Sequence, residues 1–131
     1  MNKSANYRID KNIKTVFVKF TGETSIEDLI EQEKIILKDS DFEKGFNTYA
    51  DFSEATPSHT VNFDKVKMSK EFVESIQDMR GKCKWAIYAP YVFAYAFAKM
   101  FAILASDLTI ETKVFREEEK AKDWLGILSS T

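Results

Sequence analysis

A single cysteine and a single histidine stand in 131 residues, and that scarcity removes whole classes of chemistry. Cys83 has no partner in the chain and falls in a predicted strand, where a buried, reduced thiol is expected. One histidine and one cysteine do not furnish a metal site, which needs several ligands converging, so neither a metal nor another cofactor is expected. Four scattered glycines leave no glycine-rich loop to cradle a phosphate. With two prolines and no low-complexity tract there is no linker, and one domain over residues 1–131 is expected. A formal net charge of −2 gives no basic field, so nucleic acid is not an expected partner. The opening MNKSANYRID lacks the apolar stretch of a signal peptide, which makes the cytoplasm the default location.

Apolar surface is what the chain has in quantity. Hydrophobic residues at 44% and charged residues at 31% describe a soluble globular chain. Residues 85–105, WAIYAPYVFAYAFAKMFAILA, are dense in aromatic rings and carry one charge, Lys99. A membrane span needs about 20 consecutive apolar residues, but Pro90 divides this run. A proline pushes the residue before it into extended backbone, so a strand ends near Ala89 and a helix follows over residues 91–105. That helix is too short to cross a bilayer, and no span is expected. At helical spacing Phe93, Phe97, Met100, Phe101 and Leu104 form a bulky stripe beside a ridge of Ala94, Ala98, Ala102 and Ala105. Tyr91, Tyr95 and Lys99 make a narrow polar edge. A helix apolar nearly all round is covered on more than one side, whether by another helix, an apolar ligand or a second subunit.

The rest of the chain alternates between strand and helix patterns. Residues 7–10 and 15–20 read as strands joined by a turn at Asp10-Lys11-Asn12. Thr24 and Glu27 have capping-box spacing, and Ile26, Leu29, Ile30, Ile36 and Leu37 predict a helix over 25–38. A strand follows over 46–52, then a helix that starts between 60 and 63 and is closed by Gly81. The strand over 83–89 and the apolar helix come next, then a half-exposed edge strand over 109–115. The last helix opens around 116–118 and carries Ala121, Trp124, Leu125 and Leu128. The order β-β-α-β-α-β-α-β-α predicts an α/β fold. It has a mainly parallel five-stranded sheet with right-handed crossovers, about four helices, and an antiparallel N-terminal edge hairpin.

Ligands of open α/β sheets bind beyond the carboxyl ends of the strands. Asp51 lies near such an end, and Ser53, Glu54, Thr56, Ser58, His59 and Thr60 follow it as a polar loop placed for function. The plainer reading is a solvated loop whose hydroxyls cap the next helix. A histidine is a candidate general base, yet no serine or cysteine nucleophile stands beside His59 at a recognisable spacing. Cys83, in a strand interior, is not the exposed thiol that nucleophilic chemistry uses. No catalytic residue is assigned, and a non-enzymatic protein is expected.

Six short motifs recur in an ordered series: Phe42-Glu43-Lys44-Gly45-Phe46 with Tyr49-Ala50-Asp51-Phe52, Lys84-Trp85-Ala86-Ile87, Phe97-Ala98-Lys99-Met100-Phe101, Val114-Phe115-Arg116 and Ala121-Lys122-Asp123-Trp124-Leu125. Together they resemble the STAS-like superfamily, the sulfate-transporter and anti-sigma-factor-antagonist fold, and most closely its SpoIIAA-like branch. The resemblance runs from Tyr7 to Leu128. It implies a sheet with helices and a non-enzymatic role in protein–protein regulation or small-ligand sensing; related architectures include lipid-carrying domains. Anti-sigma antagonists carry a phosphorylated serine in an Asp-Ser-Ser-Gly-like turn. Here the corresponding region reads Ser53-Glu54-Ala55-Thr56-Pro57-Ser58-His59-Thr60, with no such turn, so kinase-controlled switching is not carried over.

Two functions are expected from these features. One is an interaction or regulatory module that forms a homodimer, or binds a protein partner, through the 91–105 helix. The other is a carrier or sensor of a small apolar or lipid-like ligand. There Phe93, Phe97, Met100 and Phe101 would line the pocket and Tyr95 or Lys99 would hold the polar end.

Overall fold

In a computed structural model describing residues 4–127, the alternating patterns form β1 (Ser4–Asp10), β2 (Thr15–Thr24), α1 (Ile26–Lys38), β3 (Asn47–Pro57), α2 (Phe63–Arg80), β4 (Cys83–Tyr88), α3 (Val92–Leu104), β5 (Ile110–Phe115) and α4 (Glu118–Leu125). Leu128, assigned above to the last helix, lies outside the described residues. The sheet order is β1-β2-β3-β4-β5, with β1 antiparallel to β2 and the other pairs parallel. Because chain neighbours are sheet neighbours, the three crossovers all step the same way, and their common right hand puts α1, α2 and α3 on one face. The core follows that division. Ile26, Val66, Val73 and Phe101 pack with Cys83, Ile87, Ile110 and Val114 under the three helices, and Ile36 joins Val16, Val18 and Phe20. On the opposite face α4 places Ala121 and Leu125 against Tyr49 and Ala86.

The turns and caps have local causes. The Asp10 carboxylate accepts the Asn12 N–H at 3.0 Å and the Ile13 N–H at 3.4 Å, and Lys14 takes a left-handed φ of 52° to complete the turn. At the start of α1 the capping box belongs to Ser25 and Asp28, not to Thr24 and Glu27. The Ser25 hydroxyl accepts the Asp28 N–H at 3.1 Å while the Asp28 carboxylate accepts the Ser25 N–H at 2.9 Å. Thr24 is still in β2, and Glu27 pairs instead with Lys65 on α2.

The largest departure from the sequence reading lies in β2 and β3. Both strands run past their expected ends, to Thr24 and Pro57, and keep pairing in parallel beyond a register shift between Lys19 and Thr21. Opposite that shift β3 accommodates an extra residue as a bulge, and the Asp51 carboxylate accepts the Ser53 N–H there at 2.8 Å. An ion pair between Lys19 and Glu54 spans the two strands just beyond. The polar stretch expected as a loop is therefore strand through Asp51, Ser53, Glu54 and Thr56; only Ser58, His59 and Thr60 lie outside it. Polarity misled because backbone pairing to β2, not side-chain burial, extends this strand.

Arg80, the last residue of α2, is 0% exposed. Its Nε and Nη2 donate to the two Glu33 oxygens at 2.7 and 2.9 Å, and Nη1 donates to the Phe46 carbonyl at 3.4 Å. The guanidinium also lies over the rings of Phe42 and Trp85, at 4.9 and 5.0 Å. The chain leaves α2 through Gly81 at φ +76°, where a Cβ would stand 2.7 Å from Lys44 Cγ. That bare backbone lets the Gly45 N–H reach the Arg80 carbonyl at 2.8 Å.

Two outcomes follow from this packing. Glu33→Ala, which strands the Arg80 charge, should lower the unfolding free energy by about 3–5 kcal/mol in urea titrations. The paired change Glu33→Leu with Arg80→Met should recover most of that loss. Burial pushes the Cys83 thiol from 9.0 up to about 11, because the folded state disfavours the thiolate. Its contribution is complete below about pH 9 and is lost as pH rises through 11, an alkaline decline of about 2–3 kcal/mol. In Cys83→Ala the stability curve over that window should be flatter by the same amount.

Candidate functional site: an apolar channel beneath the third helix

The most apolar helix of the chain is poorly buried. Within α3 only Phe101 is fully buried; Ala94, Phe97 and Ala98 are half-buried, and Phe93 is 72% exposed. Val92, Ala96, Lys99 and Ile103 share one exposed stripe at spacings of four and three residues. Cover on two sides was expected. The inner side meets α2, β3 and β5, whereas the outer stripe meets solvent among the described residues.

Under the helix lies a partly open cavity of about 180 Å³, lined by α1, α2, α3 and the inner sheet face. Its size compares with the roughly 150 Å³ apolar cavities that admit benzene, but its shape differs. The walls extend along β3 from Thr48 to Pro57, roughly 30 Å at about 3.3 Å per residue. The cavity is thus a half-open apolar channel along that strand. Leu29, Ile36, Val66, Phe72 and Ile87 are among its apolar walls, with Phe97, Ala98 and Phe101 as the roof. One end meets an open cleft of about 420 Å³, and the two share Ala55, Thr56, Pro57, Val61, Ala94 and Phe97. Ser58, His59, Tyr91, Val92 and Phe93 complete the cleft. It therefore sits at the carboxyl end of β3, the side on which open α/β sheets bind ligands.

The other end is polar. Gln32 of α1 and Thr48 of β3 line the channel at 8% and 6% exposure, and neither side chain hydrogen-bonds to any described residue. Ser69 lines it from α2, its hydroxyl donating to the Val66 carbonyl at 2.6 Å. Glu33 contributes a carboxylate already held by Arg80. The buried Trp85 indole N–H meets no oxygen or nitrogen and has beside it only the Cys83 sulfur, a weak acceptor.

These positions split the sequence-derived set. Phe97 and Phe101 stand in the channel wall, and Phe93 stands in the cleft rather than the interior. Met100 packs on the core away from the channel. Tyr95 lies under the Arg116 guanidinium, 5.4 Å from its ring centroid, and Lys99 points outward with the exposed stripe. Neither is at the polar end, which comes instead from α1 and β3. Thr56, Ser58 and His59 border the cleft. The His59 Nδ1 is 3.5 Å from a Glu23 carboxylate oxygen, and the Ser58 hydroxyl is 3.0 Å from that of Thr60. Asp51 and Ser53 belong to the bulge, with Asp51 in register with Lys19 and Tyr88.

Gln32 and Thr48 were missed, although each leaves a trace in the pattern. Gln32 sits three residues after Leu29 and four before Ile36, a core position of an amphipathic helix. Thr48 falls between Phe46 and Ala50 on the inward alternation of β3. A polar side chain in an apolar slot is the signal.

Among the described residues no group of three or more His, Cys, Asp or Glu side chains is gathered to hold a metal ion, and no helix is long and apolar enough to cross a membrane. No family model matches the chain, and no curated protein matches it. The fold is similar to that in the crystal structure of an uncharacterised protein of the DUF3478 family from Shewanella loihica PV-4, which is described as SpoIIAA-like. The two are 15% identical and superpose with a TM-score of 0.62 over 95% of this chain and 96% of that one. Strand order, helix placement and this likeness agree: the chain has a SpoIIAA-like fold of the STAS-like type.

Proposed function

We propose that this protein carries or senses a small, slender apolar ligand held beneath α3. The observation that carries the reading is the continuity of the apolar channel with the cleft at the carboxyl end of β3. Burying an alkyl chain there contributes about 0.8 kcal/mol per methylene group, and the channel walls offer almost no polar competition for it. The ligand would enter between the end of β3 and the first turn of α3, passing Phe93 and Phe97. The fold class contributes scaffold alone to this reading; the site contributes the chemistry.

A second reading rests on a different observation. Tyr91, Val92, Phe93 and Ile103 are large apolar side chains left exposed on one helix and its cap. An exposed apolar patch marks an interaction surface, and self-association through α3 would cover it.

Native mass spectrometry of freshly purified protein should reveal a co-purifying apolar mass. Medium-chain alcohols or lipids should raise the melting temperature. Ala98→Leu, which fills the roof of the channel, should remove that shift while the protein stays folded; no bound mass and no shift with any such compound would refute the carrier reading. For the second reading, sedimentation should give a dimer that Phe93→Asp dissociates. A monomer across a wide concentration range would end it.

A further inference from the structure

We infer that the channel receives its ligand head first, and that the head is a neutral hydrogen-bonding group: an unbranched chain ending in a hydroxyl or carbonyl, held by Gln32 and Thr48. The inference rests on the reading of the channel as a ligand site and adds the ligand's polarity, charge and direction.

Direction follows from the two ends. Away from the cleft the Thr48 hydroxyl is buried with no hydrogen-bond partner, and Gln32, 8% exposed, makes no hydrogen bond to a described residue. A methyl terminus placed there would leave the Thr48 hydroxyl unsatisfied, the costly arrangement for a buried polar group. A hydroxyl or carbonyl head serves both side chains, since the amide offers donors and an acceptor and the hydroxyl can do either. At the cleft end Tyr91, Val92 and Phe93 stand with Thr56, Ser58 and His59, and an emerging alkyl tail can lie against the first three.

Charge follows from the lining. No lysine, arginine or histidine borders the channel, and its one ionisable side chain is Glu33. The nearby cation, Arg80, already has both Glu33 oxygens on its Nε and Nη2. A carboxylate head would lose its hydration, find no free cation and lie near the Glu33 charge. An ammonium head could compete for Glu33 only by displacing Arg80, itself 0% exposed. A neutral head meets neither penalty.

Calorimetric titration with 1-decanol and with sodium decanoate at pH 8 tests this on the full chain. The wild type should bind decanol at least about tenfold more tightly than decanoate, the equivalent of about 1.4 kcal/mol. The double variant Gln32→Leu with Thr48→Val, close in volume but unable to hydrogen-bond at the head, should weaken decanol binding about tenfold and leave decanoate nearly unchanged. Decanoate binding as tightly as decanol, or decanol affinity surviving the double variant, would overturn head-first neutral binding while leaving the carrier reading intact. Failure of both compounds to bind the wild type would remove the carrier reading and this inference with it. Should the double variant not fold, the wild-type comparison of alcohol with carboxylate still decides the question of charge.

Discussion

The buried guanidinium of Arg80 is the constraint on which the rest of the helical face depends. A cation stripped of water must be matched by a partner of good geometry, and Glu33 supplies it from the neighbouring helix. In meeting that demand the protein fixes α1 to α2, α2 to the entry of β3 through the Phe46 carbonyl, and the whole to Trp85 of β4. Gly81 lets its backbone pass close to Lys44 and Gly45, and Gly45 supplies the positive φ of +97° at the turn into β3. The polar floor of the channel is a by-product of the same requirement: Gln32 adjoins Glu33 in α1, and Thr48 pairs with Trp85 across the strands. Beyond Glu33 no charged side chain lines the space, which is mainly apolar as far as the polar rim of Thr56, Ser58 and His59.

The third helix expresses the opposite economy. Its sequence is the most apolar in the chain, yet it sits at the side of the helical layer with one stripe in water and a cavity beneath it. Ile35, Phe63 and Met79 on the first two helices are also about half exposed, but α3 combines the highest apolar content with the most exposed large apolar side chains, Phe93 and Ile103. Both functional readings start from this helix. They differ in whether the unspent apolar surface that matters is the side facing the channel or the side facing out.

Much of the architecture was legible because period and punctuation agree. Alternation at Val16, Phe17 and Val18 gave the inward and outward faces of β2, Pro90 parted β4 from α3, and Gly81 ended α2 as a residue with positive φ must. The extension of β3 was hidden, since Ser53, Glu54 and Thr56 owe their strand conformation to a partner strand that itself ran longer than its pattern. The site was half legible. Phe97 and Phe101 follow from helical spacing alone. Whether Lys99 snorkels outward or points inward is settled by which side of α3 meets the sheet, and single-sequence periodicity does not specify that for a helix apolar all round. Gln32 looked like one more polar residue among the glutamates of α1 until its neighbours Leu29 and Ile36 turned inward.

The match between chain order and sheet order also bears on how the molecule assembles. Every strand finds its sheet partner in the next segment of chain, so each step from β1 to β5 closes a short loop and can be taken as soon as its residues are available. On the other face α4 packs on β4 and also reaches back to β3, laying Ala121 and Leu125 against Tyr49. The helical face therefore rests on crossovers between neighbouring strands, and the opposite face on a single helix at the end of the strand series. Loss of that one helix would uncover Tyr49 and Ala86 and leave the three-helix face with its own packing.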